Sequence, residues 1–429
     1  TLYEEAEPQM RAAVELAERL LGSEDRETLS LRYGLALARA HNNEAGQAYE
    51  EMTGIAGMQA RVLGADDRDT LLTRHFIAVL ETDNGRAEVG ERIFRDVLAR
   101  RTRSLGADHK ETLQTLSDLG ILLRRVGKLE ESDRLTREAH DIADRVLGRD
   151  DPQTILYAGF VAMIARSPAE YEAVEPLFRD VVERATRVYG PEHQVTLSFL
   201  DSLAMLLELR CKFDEAEGLA RDILGRHRAS HGETDPRSIA ALKRLAHLLA
   251  LEAKYEEAEP LSRRLIELSI TTFGESNDQT TDAMYDLVHV LNGAGKLEEG
   301  LDLAHRTLDR RIAHYGEGSV KVALSRTQMS ELLVKLGRIE EATSAATQSL
   351  ESLRVSPGVD PILLGWSERS LGACLLEQRR FDEARELLGD ALKKLIAGLG
   401  ECHPFCVETK AYLDRLVEVH KAAAPAAGG

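Results

Sequence analysis

The sequence predicts an all-α protein made of stacked pairs of antiparallel helices, and three periodic features lead to this prediction. A glycine recurs every 42 residues without an insertion, at Gly22, Gly64, Gly106, Gly148, Gly190, Gly232, Gly274, Gly316, Gly358 and Gly400. Six positions after most of these glycines stands a threonine or serine, such as Thr70 or Ser238. Fourteen positions after them stands a small residue, such as Ala78, preceded by a large apolar one. A period of this length is typical of repeats that bury their apolar faces only by stacking on one another.

The segment 105–147 illustrates the two helices of one repeat. After Thr112, leucines at helical spacing predict helix A, which runs to a turn at Gly127. An Asp or His three positions after the recurring glycine is suited to cap its first turn, and a following Pro fits that turn. Helix B opens with an acidic pair such as Glu130–Glu131, which complements the positive end of the helix dipole, and closes at the next recurring glycine. The small residue in helix A lets a neighbouring helix approach closely.

These features resemble those of tetratricopeptide repeats (TPR). The turns at residues 212–216 (Lys-Phe-Asp-Glu-Ala) and 254–258 (Lys-Tyr-Glu-Glu-Ala) are similar to the turn motif of that family. The 42-residue period is similar to the kinesin-light-chain type of TPR. The resemblance covers essentially the whole chain, and it implies a right-handed α-solenoid superhelix of about twenty antiparallel helices.

The unbroken period predicts a single continuous array over residues 1–421, followed by a disordered low-complexity tail at residues 422–429. Residues 3–8 (Tyr-Glu-Glu-Ala-Glu-Pro) match residues 255–260, so the array is expected to start in mid-repeat at a helix B, with more of the polypeptide upstream. The last helix is expected at about residues 405–420. The glycines at 46, 54 and 57 predict that the helix B that contains them is poorly formed.

Composition excludes two classes of partner. The formal net charge is −18 and no basic face is visible, so a nucleic-acid partner is not expected. No run approaches the eighteen apolar residues of a membrane span, so a membrane partner is not expected either. Four scattered cysteines indicate a reducing compartment, and we predict a cytoplasmic location; they are Cys211, Cys374, Cys402 and Cys406.

The sequence contains no convincing catalytic, metal or cofactor site. The run Cys402–Cys406 includes three potential ligands, but His403–Pro404 is the capping pair of the repeat and zinc normally needs four ligands. The run Gly293–Lys296 lacks the spacing of a phosphate-binding loop and falls on a turn between helices. We therefore predict no enzyme activity, no metal and no cofactor, and name no catalytic residues.

Function is expected on the concave face of the superhelix, which one face of the A helices lines. The offsets 8, 11, 12, 15 and 18 after each recurring glycine give an apolar stretch followed by a polar, charge-mixed one. An extended or helical peptide with apolar anchors fits such a surface. The predicted partner-binding groove consists of Leu72, His75, Phe76, Val79, Leu156, Phe160, Met163, Met205, Lys243, Arg244, His247, Tyr285, Asp286, His289, Asn292, Trp366 and Arg369. The alternative for Phe76, Phe160, Met163 and Met205 is that they fill a tightly wound core.

The resemblance implies a non-catalytic scaffold that binds a protein or peptide, as the interaction or sensor module of a larger signalling or defence protein. Kinesin light chains typically place two asparagines in helix A to clamp a peptide backbone. That clamp is absent here, where the corresponding pairs are Ser117–Asp118, Asp201–Ser202, Lys243–Arg244 and Tyr285–Asp286.

Two alternatives remain open. The first is a self-associating, architectural array that pairs through residues 3–21 or 405–419, which allows a homo-oligomer. The second is a small-molecule or enzymatic site in the closed centre of the superhelix, around His247, Tyr285 and His289. The second alternative predicts a deep polar pocket and strongly shifted histidine pKa values.

Overall fold

The computed structural model describes residues 2–41 and 45–423. Over these residues it contains twenty α-helices and no strand, which confirms the all-α, TPR-type solenoid class. In chain order the helices are α1 (Leu2–Leu21), α2 (Arg26–His41), α3 (Ala45–Val62), α4 (Arg68–Asp83), α5 (Ala87–Ser104), α6 (Lys110–Arg125), α7 (Leu129–Leu147), α8 (Pro152–Ala162), α9 (Pro168–Tyr189), α10 (Gln194–Leu209), α11 (Phe213–His231), α12 (Pro236–Leu251), α13 (Tyr255–Phe273), α14 (Asp278–Gly293), α15 (Leu297–Tyr315), α16 (Val320–Lys335), α17 (Ile339–Val355), α18 (Pro361–Glu377), α19 (Phe381–Leu399) and α20 (Pro404–Ala423).

The A helices start where the sequence places their caps. The Asp67 carboxylate accepts a hydrogen bond from the Asp69 N–H at 2.9 Å, and Nδ1 of His109 accepts one from the Glu111 N–H at 3.2 Å. These side chains satisfy donors that the first turn of a helix leaves without a backbone partner. The recurring threonine has a role of its own, because the Thr70 hydroxyl donates to the carbonyl of Gly64 at 2.9 Å. The equivalent hydroxyls of Thr196, Ser238 and Thr280 make the same bond, which in these repeats fixes the link between the preceding helix and helix A.

The turn from helix A to helix B requires a left-handed backbone at one position. Gly127 has φ 77° there, but Cys211 (φ 56°), Ala253 (φ 57°) and Arg379 (φ 62°) occupy the equivalent position in other repeats. A side chain in this region costs about 1 kcal/mol or more. Cys211, Ala253 and Arg379 therefore carry a strain that a glycine at this position avoids.

The chain divides into two compact units, and unit 1 is Thr1–Ile164. It contains α1 to α8. One of its core clusters joins three successive A helices, since Ala78 of α4, Leu119 of α6 and Tyr157 of α8 all belong to it. A Cβ atom at Gly120 would lie 3.0 Å from the Thr136 hydroxyl, so the small position of helix A does permit the close approach that the sequence predicts.

The prediction that the helix containing Gly46, Gly54 and Gly57 is poorly formed is wrong. Helix α3 is continuous despite these glycines. The apolar side of α3 packs against its neighbours, because Met52 and Ile55 are buried in a core cluster with residues of α2 and α4. Tertiary packing of this side outweighs the penalty of about 1 kcal/mol for each helical glycine.

Unit 2 is Ala165–Gly429, and its described part closes on itself. Helix α9 contacts α19, and the Tyr171 hydroxyl donates to the carbonyl of Gly398 at 3.3 Å. A disulfide joins Cys211 to Cys402, with their Cα atoms 6.2 Å apart. Leu209 of α10 packs against a core cluster formed by α19 and α20. The first and last helices of unit 2 are therefore in contact with each other.

The disulfide also corrects the sequence analysis. The expectation of a reducing compartment rested on four unpaired cysteines, and two of them are paired. Residues 191 positions apart gave no sequence signal for this bond. The remaining two, Cys374 and Cys406, are free and buried.

The predicted limits of the array stay predictions. Helix α8 has 11 residues, the fewest of any described helix, and lies at the end of unit 1. Helix α20 extends to Ala423, two residues into the segment expected to be a tail, and residues 424–429 lie outside the described part of the chain.

Candidate functional site

In unit 1 the predicted groove positions are mostly apolar and only partly covered. Leu72 and Ile121 are each 38% exposed. Phe76, Val79 and Phe160 are half-buried, as are Leu156 and Met163. The first three also pack at the edge of core clusters, and the Phe76 ring meets the Tyr33 ring edge-on at 6.4 Å. These side chains therefore pack against the core and also expose part of their apolar surface to solvent.

Ile121 is a residue that the sequence analysis missed. It stands fifteen positions after Gly106, the same offset that marks Val79 and Met163 in the adjacent repeats. Applying the offset to every repeat would have identified it.

His75 differs from its neighbours on the predicted groove. Its side chain is buried, with Nε2 3.0 Å from the Asp118 carboxylate and its ring edge-on to Phe94 at 5.2 Å. Nδ1 lies 3.4 Å from the Thr115 hydroxyl. The structure thus places His75 inside unit 1, where it holds Asp118 in position.

In unit 2 the polar groove residues line a cavity of about 710 Å³. Lys243, Arg244, His247 and Asp286 all contribute to its wall, together with Asp201. These charges are paired across adjacent A helices: Lys243 with Asp286 at 3.2 Å, and Arg244 with Asp201 at 3.2 Å. Met205, also predicted for the groove, is exposed on α10.

Glu208 is the carboxylate that organises one end of this cluster. One of its oxygens lies 3.3 Å from Nε2 of His247 and the other 3.6 Å from the Arg244 guanidinium. Burial opposes charge on both His247 and Glu208, but their mutual contact outweighs it, so the pKa of His247 is raised and that of Glu208 is lowered. Glu208 lies at offset 18 after Gly190, one of the offsets that the sequence analysis used, yet it was not named.

A second cavity of about 210 Å³ lies beside the first and shares Lys243, His247 and Asp286 with it. Tyr285, His289 and Trp366 of the predicted groove meet there, brought together from α14 and α18. Burial lowers the pKa of His289 to about 4, so this imidazole is neutral at pH 7. Burial also raises the pKa of the Tyr285 hydroxyl and of the Asp286 carboxyl.

Phe405 of α20 closes this cavity, and nothing in the sequence pointed to it. Its ring stacks on Trp366 at 5.9 Å and 11°, lies under the Arg369 guanidinium at 4.9 Å, and meets His289 edge-on at 6.3 Å. Phe405 reaches this cavity because α20 is the A helix that follows α18 and packs on it. Cys402, three residues earlier, holds the start of α20 through its disulfide.

Asn292 and Arg369 line a third cavity, of about 360 Å³, next to Glu331. Both are buried. The Arg369 guanidinium pairs with Glu331 and with Glu408, and the indole N–H of Trp366 donates to Glu331 at 2.6 Å. Arg369 and Trp366 are therefore held in place by a shared carboxylate.

The Cys402–Cys406 run has a structural role. Cys402 is in the disulfide, and Nδ1 of His403 accepts the Phe405 N–H at 3.3 Å as a helix cap. Burial lowers the pKa of His403 to about 4. Within the described residues, no three or more His, Cys, Asp or Glu side chains are placed to hold a metal ion. None of the helices in the described part of the chain is long and apolar enough to cross a membrane.

Residues 67–145 match the family model of the tetratricopeptide repeat. This segment of the chain consists of tetratricopeptide repeats. TPR units of this kind are typically non-catalytic scaffolds whose stacked repeats present surfaces to other proteins. No curated protein matches the sequence.

Among solved structures, similar ones come from kinesin-light-chain-like TPR proteins. Two crystal structures from Podosopora anserina, described as nearly identical TPR-like repeats of a kinesin light chain, share 19% identity with this chain. Each alignment covers 47% of this chain at a TM-score of 0.41, and covers 95% and 96% of the respective structure. BtubC (BKLC) from P. vanneervenii shares 18% identity over 61% of this chain and 93% of its own, with a TM-score of 0.38.

Proposed function

We propose that this TPR protein is a non-catalytic scaffold that binds a peptide segment of a partner protein on the inner positions of unit 1. We define the unit 1 face as Leu72, Phe76, Val79, Ile121, Leu156, Phe160 and Met163. The observation that carries the proposal is the partial exposure of apolar side chains at offsets 8, 12 and 15 of the repeats that contain α4 and α8, and at offset 15 of the repeat between them. The three helices share one core cluster, so their inner positions are neighbours.

The chemistry of this face defines the ligand. Large apolar side chains favour a peptide that presents apolar anchors, because burying exposed apolar surface drives association. The one carboxylate among the inner positions of α6 is Asp118, which His75 holds at 3.0 Å. It supplies an acceptor for an N–H group of the peptide and so fixes its register.

The other predicted groove residues do not belong to the proposed peptide face: His75 is buried inside unit 1, Met205 is exposed on α10 of unit 2, and the rest line the cavities of unit 2. The signalling or defence context stays a prediction that rests on the resemblance. The linked upstream part stays a prediction from the match of residues 3–8 to residues 255–260, and the cytoplasmic location stays a prediction from the cysteines, two of which are paired.

The test compares two double variants, each of which replaces two partly exposed apolar residues by glutamate. Leu72→Glu with Ile121→Glu places two charges on the unit 1 face. Val62→Glu with Val146→Glu places two charges at positions of α3 and α7 that are 44% and 45% exposed. Both variants should retain the helical circular dichroism of the parent chain, because all four side chains are at least one-third exposed.

A peptide library displayed on phage is selected against the full chain, and the enriched peptides are titrated against the three proteins by fluorescence anisotropy. We expect the Leu72/Ile121 variant to bind at least tenfold more weakly and the Val62/Val146 variant to bind like the parent. Failure to enrich any peptide, or equal losses in both variants, would refute the proposal.

Self-association is the second candidate, favoured by apolar side chains on two helices. Helix α1 exposes Leu16, Leu20 and Leu21, and α20 exposes Val407 and Val417. Phe405 is engaged inside unit 2, so an interface through α20 would use its valines. Sedimentation velocity should then show a mass that rises with concentration, and Leu20→Glu with Val417→Glu should abolish the rise.

A further inference from the structure

The Cys211–Cys402 disulfide of unit 2 joins two loops that solvent reaches. Cys211 lies in the turn between α10 and α11, and Cys402 lies in the link between α19 and α20. Both residues are outside the helices, so the bond is not part of any helix. Cys402 is exposed and Cys211 is half-buried. Exposed disulfides exchange with small thiols far more readily than buried ones.

The noncovalent contacts that reinforce this bond lie at the ends of helices. The Tyr171 hydroxyl of α9 donates to the carbonyl of Gly398 at 3.3 Å, which is long for a hydroxyl donor. A Cβ atom added at Gly400 would lie 3.5 Å from the ring of Pro168, so these two residues are also close. Leu209 packs against the core cluster formed by α19 and α20. Successive helices such as α18 and α19 instead pack along their lengths. The disulfide therefore supplies a large share of the stability of this junction.

The other two cysteines do not compete with the pair. Cys374 is fully buried, and Cys406 is 2% exposed although it lies only four residues after Cys402. Burial raises the pKa of the Cys374 thiol, and it raises the pKa of Cys406 to about 11, so both thiols stay protonated at pH 7. Because only a thiolate attacks a disulfide, neither residue reshuffles the bond. The paired Cα atoms are 6.2 Å apart, within the range that a disulfide requires, so the closed chain reforms the same pair.

We propose that the Cys211–Cys402 bond is a redox-controlled clasp, which small thiols open and their disulfides close. In the opening reaction a thiolate attacks the exposed Cys402 sulfur, so a mixed disulfide forms and Cys211 leaves as a thiolate that takes up a proton. A second thiolate then attacks the reagent sulfur of the mixed disulfide and releases Cys402, which is protonated in turn. The protein gains two electrons and two protons, and the two reagent thiols lose them as they become a disulfide.

Opening separates α9 and α10 from α19 and α20. Leu209 then leaves the cluster that contains Leu395 and Leu399, so the apolar side chains of the junction become accessible. Helix α20 keeps its place in the stack, because it packs on α18 and α19 without the disulfide. The thiol state of the surroundings thereby decides whether these side chains are available to a partner protein. The clasp lies within unit 2 and does not rest on the unit 1 face.

Hydrogen–deuterium exchange with mass spectrometry tests the clasp on the full chain. The oxidised protein, the protein reduced with dithiothreitol without denaturant, and the protein re-oxidised with glutathione disulfide are compared at pH 7.5. In the reduced protein we expect amides of residues 168–175 and 396–407 to exchange about tenfold faster or more, with no change in α15 of the same unit. Re-oxidation should restore slow exchange, and peptide mapping should find Cys211 bonded to Cys402.

Two variants sharpen the comparison. Cys211→Ser with Cys402→Ser should show the fast exchange of the reduced parent with or without dithiothreitol. Tyr171→Phe removes the hydroxyl that bonds Gly398 and keeps the ring, so it should quicken exchange at residues 396–407 further in the reduced protein only. Tyr157→Phe, which removes a hydroxyl bonded to Gln153 in unit 1, is the matched control and should leave this segment unchanged.

Three results would each overturn the proposal. Reduction that proceeds only in urea would show that thiols do not reach the bond in the folded chain. Equal exchange of the junction segments in the oxidised and reduced proteins would show that the noncovalent contacts hold it shut. An equal rise in α15 would show that unit 2 loses its structure as a whole. None of these results bears on peptide binding by the unit 1 face, so the two proposals fail separately.

Discussion

Breaking the Cys211–Cys402 disulfide should destabilise unit 2 substantially. The bond joins residues 191 positions apart, at the turn after α10 and at the link before α20. In the chain-entropy account, a cross-link over a loop of this length restricts the unfolded chain by about 5 kcal/mol. We therefore expect Cys402→Ser to lower the free energy of unfolding of unit 2 by about 3–5 kcal/mol, since removal of native disulfides typically falls within that range.

The backbone at Cys211 makes a finer comparison possible. Its φ of 56° lies in the left-handed region, where the equivalent turns carry Gly127 or Gly295. Cys211→Gly removes the same disulfide but also relieves the strain of a side chain at that position, which is about 1 kcal/mol. The Cys211→Gly protein should therefore be about 1 kcal/mol more stable than the Cys402→Ser protein, although both lack the bond.

Urea unfolding followed by Trp366 fluorescence measures this in unit 2 alone, because the only tryptophan of the chain lies there. The oxidised parent, the parent reduced with a phosphine and the two variants are compared at equal concentration. The midpoints of the reduced and variant proteins should fall by about 1–2 M urea. Equal midpoints for oxidised and reduced parent would refute the closure argument, and a Cys211→Gly protein less stable than Cys402→Ser would refute the strain argument.

Two further predictions concern unit 1 and the pH response. Gly54→Ala and Gly57→Ala add side chains on exposed helical positions with no atom within 4 Å, so each should raise the unfolding free energy by about 0.5–1 kcal/mol in urea titrations followed by circular dichroism. Gly90→Ala is the contrast, because its Cβ atom would lie 2.5 Å from the Thr82 hydroxyl, and it should destabilise. Because burial lowers the pKa of His289 to about 4, the unfolded chain binds a proton near pH 6.5 that the folded one resists. Unit 2 should therefore lose stability as the pH falls from 6.5 toward 4, and His289→Gln should remove about 2 kcal/mol of that loss; parallel pH profiles for variant and parent would contradict this.

The sequence predicts the repeat well because its signals are local. The start of α4, for example, depends on the Asp67 cap and on the Thr70 hydroxyl, whose partners lie two and six residues away. The closure of unit 2 is different, because the contacts of Tyr171 with Gly398 and of Cys211 with Cys402 depend on the small rotation that each repeat adds to the next. The period of the sequence predicts the repeated helices, but it does not predict the rotation between successive repeats.

Because the sequence period predicts only the repeated helices, it also decides which residues of the candidate site could be predicted. The offsets place Tyr285, His289 and Trp366 on inner faces, and the structure brings all three to one cavity. They do not reveal Phe405, which reaches that cavity from the start of α20, or Ser262, which reaches it from a helix B. Both lie outside the inner offsets of an A helix, so only the packed structure joins them to the site.

The two units are built from the same repeat, but the inner positions of their A helices differ in what they contact. In unit 1, Leu72 and Ile121 remain accessible to solvent, so a long ligand can reach them. In unit 2 the inner positions contact the chain itself: Phe405 lies against Trp366 and Arg369, and the charged residues pair across adjacent helices. Open space at these positions is then divided among cavities of about 210, 360 and 710 Å³. The disulfide of Cys211 belongs to this closed arrangement, because it ties the turn after α10 to the start of α20.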